Sequence, residues 1–142
     1  MLGDPAFREQ VCRAQHAHKS EVTIKPDGAG MSVVVDQTRP SDGIPGFARK
    51  IVGDEIRIVQ REEWADASRA RLDVAIPGKP GELKGHIKLA GHGAGSVETI
   101  DGELGVSIPL LGAKLEGLIS GMLTEALEAE HRVGVAWLAG AR

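Results

Sequence analysis

The sequence predicts an α+β fold: a curved antiparallel meander sheet of about six strands wrapped around a long C-terminal helix, with a short N-terminal helix. Three observations carry this. Six segments between Glu21 and Ile108 alternate apolar and polar residues, and most gaps between them hold turn chemistry such as Pro26-Asp27-Gly28 or Gly78-Lys79-Pro80-Gly81. After Ile108 the apolar period lengthens to that of a helix and stays there to Ala139. The chain has 19 Gly but only four aromatic residues, a balance that suits a turn-rich β protein.

Each element follows from local chemistry. Asp4-Pro5 is a helix start, with Asp4 as the cap and Pro5 in the first turn. Phe7, Val11 and Ala14 then share one face, and the helix is expected to fade near His18. Val22 and Ile24 fall on one side of Glu21 to Lys25, the first arm of a hairpin whose second arm runs from Met31 to Arg39. From Pro40 to Asp54 the chain is irregular, then holds one or two helical turns over Phe47 to Val52, closed by Gly53. Phe47, Ile51 and Ile44 are expected to anchor that piece to the core. The remaining strands are Glu55 to Trp64, Arg69 to Pro77, Glu82 to Ala90 and Ser96 to Ile108.

On the last helix, Leu111, Leu115, Leu118, Ile119, Met122, Ala126, Ala129, Val133 and Trp137 form one stripe. Leu123 and Leu127 widen it to roughly half the circumference, which suits a helix held inside a curved sheet. From Gly112 to Ala139 it spans roughly 42 Å at 1.5 Å per residue. Glu128 and Arg132 pair on the solvated side.

Composition excludes several functions. Seventeen Lys+Arg against 20 Asp+Glu give a charge of -3, so no nucleic acid is expected as a partner. Four aromatics, Phe7, Phe47, Trp64 and Trp137, do not make a base-stacking platform. Cys12 stands alone, which rules out an intrachain disulfide and a thiolate-based zinc site. His16, His18, His86, His92 and His131 are scattered, and no metal is expected. Gly91-His92-Gly93-Ala94-Gly95 leads into a strand rather than a helix, so it is a hairpin turn and not a phosphate loop. Gly117 and Gly121 sit opposite the apolar stripe and weaken that turn. No targeting segment or membrane-length apolar run is visible, so a cytoplasmic location without stable membrane insertion is expected.

The order helix, six antiparallel strands, long helix resembles the START-like superfamily, or helix-grip fold, which includes polyketide-cyclase-like and pollen-allergen-like proteins. More narrowly, Pro40-Ser41-Asp42-Gly43-Ile44-Pro45-Gly46-Phe47 with Arg49-Lys50, followed by Val52-Gly53-Asp54-Glu55-Ile56, is similar to an uncharacterised, mainly actinobacterial domain family. Glu62-Glu63-Trp64, Ile76-Pro77-Gly78-Lys79-Pro80-Gly81 and the stretch from Val106 to Leu118 extend the likeness over roughly Gly3 to Leu138. Residues 1 to 142 are then expected to form one START-like domain lacking the family's first strand. That strand sits beside the last one, so the backbone edge of Ser96 to Ile108 is expected to lack its neighbour. A shortened start is the favoured explanation; a strand from another chain, or an edge left open, are the alternatives. The protein is accordingly expected as a monomer, or as a homodimer through the open edge.

The resemblance implies a cavity between sheet and long helix that takes lipids or other apolar molecules. Strand parity puts Ile56, Ile58, Gln60, Glu62 and Trp64 on one face, opposite the more charged Arg57, Val59, Arg61 and Glu63. The expected ligand-binding residues are Ile58, Gln60, Glu62, Leu72, Val74, Ile87, Leu104, Leu115, Ile119 and Met122. Glu62 on a mostly apolar wall needs either water at the strand end or a cation such as Arg39. Trp64 and Trp137 are expected in the core, and Cys12 as an inert, half-buried thiol. The expected function is binding of a hydrophobic small molecule without a cofactor. The rivals are a cyclase or dehydratase-type enzyme using a cavity carboxylate, and a protein-interaction module with a filled core. Binding is favoured over catalysis because no pair of titratable residues stands out on the inward faces.

Overall fold

A computed structural model describes all 142 residues. The order is α1 (Pro5–Ala14), β1 (Lys19–Asp27), β2 (Gly30–Pro40), α2 (Gly46–Val52), β3 (Glu55–Trp64), β4 (Arg69–Ala75), β5 (Gly81–His92), β6 (Gly95–Val106) and α3 (Gly112–Leu138). The six strands form one antiparallel sheet in sequence order, so the meander is realised and β1 and β6 are its edges. Boundaries shift by a few residues from the sequence expectation. The N-terminal helix ends at Ala14 rather than near His18, because His16 adopts a left-handed φ of 66° that stops it. The Asp4 side chain accepts from the Ala6 amide at 2.9 Å, so the start lies where the Asp-Pro pair placed it.

Register fixes which side chains share the concave face. Val33 faces Glu62, Val35 faces Gln60 and Gln37 faces Ile58 across β2 and β3. Leu72 then stands opposite Glu62, and Gly85 and Gly102 follow opposite Leu72 on β5 and β6. Those two glycines let the backbones of β5 and β6 crowd together. A Cβ at Gly85 would collide with the Asp101 carbonyl oxygen, and one at Gly102 would lie 3.0 Å from the Lys84 carbonyl oxygen. Close approach of this kind is how glycine lets a sheet bend.

The interior has two parts. One is solid: Phe7, Val11 and Cys12 of α1, Val33, Val35, Trp64, Ala70, Leu72 and Ile87 of the sheet, and Trp137 of α3 form a buried cluster. Phe7 and Trp137 meet edge to face, 5.6 Å between centroids, which joins α1 to the last turns of α3. Trp64 and Trp137 are thus core residues, and the thiol of Cys12 is buried, which pushes its pKa up. The other part, under the earlier turns of α3, is hollow. There α2 is held by a staple at Ser41, which is fully buried, donates its hydroxyl to the Gly53 carbonyl at 2.7 Å and its amide to Asp54. Gly53 itself has φ 83°, the left-handed turn that closes α2. No helix is long and apolar enough to cross a membrane.

Candidate functional site

The hollow is a cavity of about 360 Å³ between the concave face of the sheet, α2 and α3. Of its 33 lining residues 22 are hydrophobic, so an occupant must be mostly apolar. Ile58, Gln60, Leu72, Val74, Leu104, Leu115, Ile119 and Met122 all lie on the wall, drawn from β3, β4, β6 and α3. The strands reach it through period-two alternation, and α3 through its broad apolar stripe.

Two of the expected lining residues lie elsewhere. Ile87, 1% exposed, belongs to the solid cluster with Phe7 and Trp64, because α1 covers that part of the sheet. Glu62, also 1% exposed, is neither wet nor partnered by Arg39. Its two oxygens accept from Arg8 Nη1 and Nη2 at 2.9 and 2.8 Å. Gln60 Nε2 donates to Oε1 at 2.6 Å and Trp64 Nε1 to Oε2 at 2.7 Å. Arg8, 4% exposed, spends Nε on the Leu2 carbonyl at 2.8 Å. The carboxylate is therefore saturated, and each guanidinium nitrogen has a protein partner, which a buried pair requires.

Several wall residues lie outside the expected binding set, among them Ile44 and Ile51, expected only as core anchors, and Arg39, expected as a partner for Glu62 or a ligand anion. Ala48, Ile51 and Val52 of α2 face the cavity with Ile44, whereas the Phe47 ring packs under Lys114 Nζ at 4.2 Å and ties α2 to the first turn of α3. Gln15, Gln37, Arg39 and Glu130 supply polar atoms. Gln15 Nε2 donates to the Ala126 carbonyl at 3.1 Å, and Gln37 Nε2 donates to Gln15 Oε1 at 2.9 Å. Gln37 Oε1 is buried without a partner. Arg39 Nη1 reaches the Gln15 carbonyl at 3.4 Å and forms no ion pair. Burial lowers the Arg39 pKa, with Glu125 acting partly against it. The missed signal is parity: Gln37 and Arg39 continue the inward series of Val33 and Val35.

Two acids border the Arg8–Glu62 pair. Burial, then Glu130 and Glu62, push the Glu98 carboxyl up to about 7, with Arg8 opposing. Burial also raises Glu130, helped by Glu62 and opposed by Arg8. Glu98 stands opposite Leu89 and shares the parity of Ile100, so with Glu62 it makes a pair of inward acids, contrary to the expectation that no titratable pair faces inward. No three His, Cys, Asp or Glu side chains converge in a way that could hold a metal.

Residues 1–138 match the model of a family described as Protein of unknown function (DUF2505). The chain is similar to the uncharacterized protein Rv0481c of Mycobacterium tuberculosis and the uncharacterized protein Mb0491c of Mycobacterium bovis. Each is 26% identical over 118 residues, covering 79% of this chain and 68% of the relative. It is also similar to the crystal structure of TTHA0849 from Thermus thermophilus, with a TM-score of 0.54 and 20% identity over 91% of this chain and 90% of that one. That likeness speaks to the fold alone.

Proposed function

We propose that this chain, which belongs to the DUF2505 family, is a START-like domain that binds a hydrophobic small molecule or lipid between its sheet and C-terminal helix. The observation that carries the reading is the cavity: about 360 Å³, mostly apolar, and walled chiefly by the sheet, α2 and α3. A volume in that range is enough to bury most of a small ligand. It weighs against a filled-core interaction module. The saturated Glu62 weighs against an enzyme built on that carboxylate, since four donated hydrogen bonds leave it no lone pair aimed at a substrate. A cytoplasmic setting, and either a monomer or a homodimer through the β6 edge, complete the proposal; gel filtration with scattering detection separates the two states.

Native mass spectrometry after gentle purification tests the reading, together with titration of the neutral apolar dye Nile red. A co-purifying apolar molecule, or dye binding that Ile119→Trp abolishes while the fold is retained, is the expected result. A bare chain that also leaves Nile red dark overturns it.

A further inference from the structure

The polar atoms of the cavity wall have an order that constrains the ligand. The Ala126 carbonyl can only accept, so Gln15 must present its amide nitrogen to α3 and its oxygen to β2. Gln37 must therefore donate its nitrogen to Gln15, and its own oxygen is left over. This fixes the amide orientation through a chain of three groups ending on a main-chain atom. Gln37 is 6% exposed, so its orphan oxygen is a buried acceptor waiting for a donor hydrogen. Two residues along the same face of β2, Arg39 brings a half-buried guanidinium that forms no ion pair.

A plain hydrocarbon in the cavity would leave both groups desolvated and unmatched, which is costly. A cationic head would meet Arg39 with like charge. An alcohol serves either group but gives Arg39 no anion. A carboxylate alone gives Gln37 Oε1 only another acceptor. A head with an anionic oxygen and a nearby hydroxyl satisfies both: the carboxylate accepts from Arg39 and the hydroxyl donates to Gln37 Oε1. Resting on the carrier reading above, we infer that Gln15, Gln37 and Arg39 form a head-group subsite for apolar hydroxy acids.

Calorimetric titration with β-hydroxydecanoate, decanoate and decanol, beside Nile red, tests this on the full chain. The hydroxy acid is expected to bind about tenfold or more tighter than decanol, the scale of one charge-assisted hydrogen bond. Arg39→Met should bring both acids down to the level of decanol and leave decanol unchanged. Arg39→Lys, which keeps the charge without the fork, should retain part of the preference and guards against a folding artefact. Gln37→Leu should erase the difference between β-hydroxydecanoate and decanoate. If Nile red binds but the three probes are not ranked, or Arg39→Met leaves the ranking intact, the subsite is overturned and the carrier reading survives. If neither dye nor probes bind, both fall.

Discussion

Arg8 and Glu62 face each other as a fork on a fork, Nη1 to Oε1 at 2.9 Å and Nη2 to Oε2 at 2.8 Å, with neither residue more than 4% exposed. They join the first helix to the third strand across 54 residues of chain. Removing one partner strands the other charge in the interior. Glu62→Gln and Arg8→Met should each cost about 3–5 kcal/mol in urea denaturation. The double replacement Arg8→Met/Glu62→Leu should recover most of that loss, since a pair exchanged for apolar groups of like volume is close to neutral.

Glu98 gives the fold a pH dependence of definite sign. Its pKa is raised from 4.5 to about 7, so the native state holds a proton that the unfolded chain releases between those values. The associated stability is complete below about 4.5 and is lost as pH rises through about 7. After allowance for solvent screening the change is on the order of 1 kcal/mol. Thermal unfolding of the wild type and Glu98→Gln from pH 4.5 to 8 checks this: the variant should show a flatter profile, gaining relative stability at the alkaline end. A parallel pair of profiles would dismiss the effect.

Gly85 carries the crowding between β5 and β6. Its Cβ would run into main-chain atoms of Asp101, which cannot rotate away as a side chain would. Gly85→Ala is expected to destabilise by about 1–3 kcal/mol, the usual range for forced backbone shifts. Gly105→Ala is the control, because nothing lies within 4 Å of its Cβ position. Equal denaturation midpoints for the two variants would contradict the assignment.

Filling the cavity should help the fold and harm binding. Ile119→Trp places a larger side chain into space walled by Leu104, Val106 and Leu83. Stability should rise by about 0.5–2 kcal/mol while dye binding disappears. Loss of stability together with retained dye binding would show that the space is not where the wall residues put it.

The sheet was legible because strand parity is a local property. Glu55–Trp64 needs only its own alternation to be found, and the series Ile56, Ile58, Gln60 was correctly turned inward. The α3 stripe was legible for the same reason, with Leu115, Ile119 and Met122 on the cavity. What was not legible depends on which residue lies across the gap. Arg8 shares the buried face of α1 with Phe7, Val11 and Cys12, but an arginine there reads as solvated until its distant acid is known. Ile87 has the same inward parity as Leu83; only the footprint of α1 puts one in the solid half and the other on the cavity. The alternation of β2 also reached Gln37 and Arg39, yet no local pattern says that one of them keeps an unused oxygen.

The unequal filling of the interior makes α3 a cantilever. Its last turns are clamped by Trp137 against Phe7, with Ala129 and Gly134 buried nearby. Its first turns span a void, start at Leu111 without a side-chain cap and contain Gly117 and Gly121. Amide exchange should accordingly be graded along one continuous rod, faster around Gly117 and Gly121 than near Val133. The clamped root then keeps the molecule intact while the turns over the void open locally.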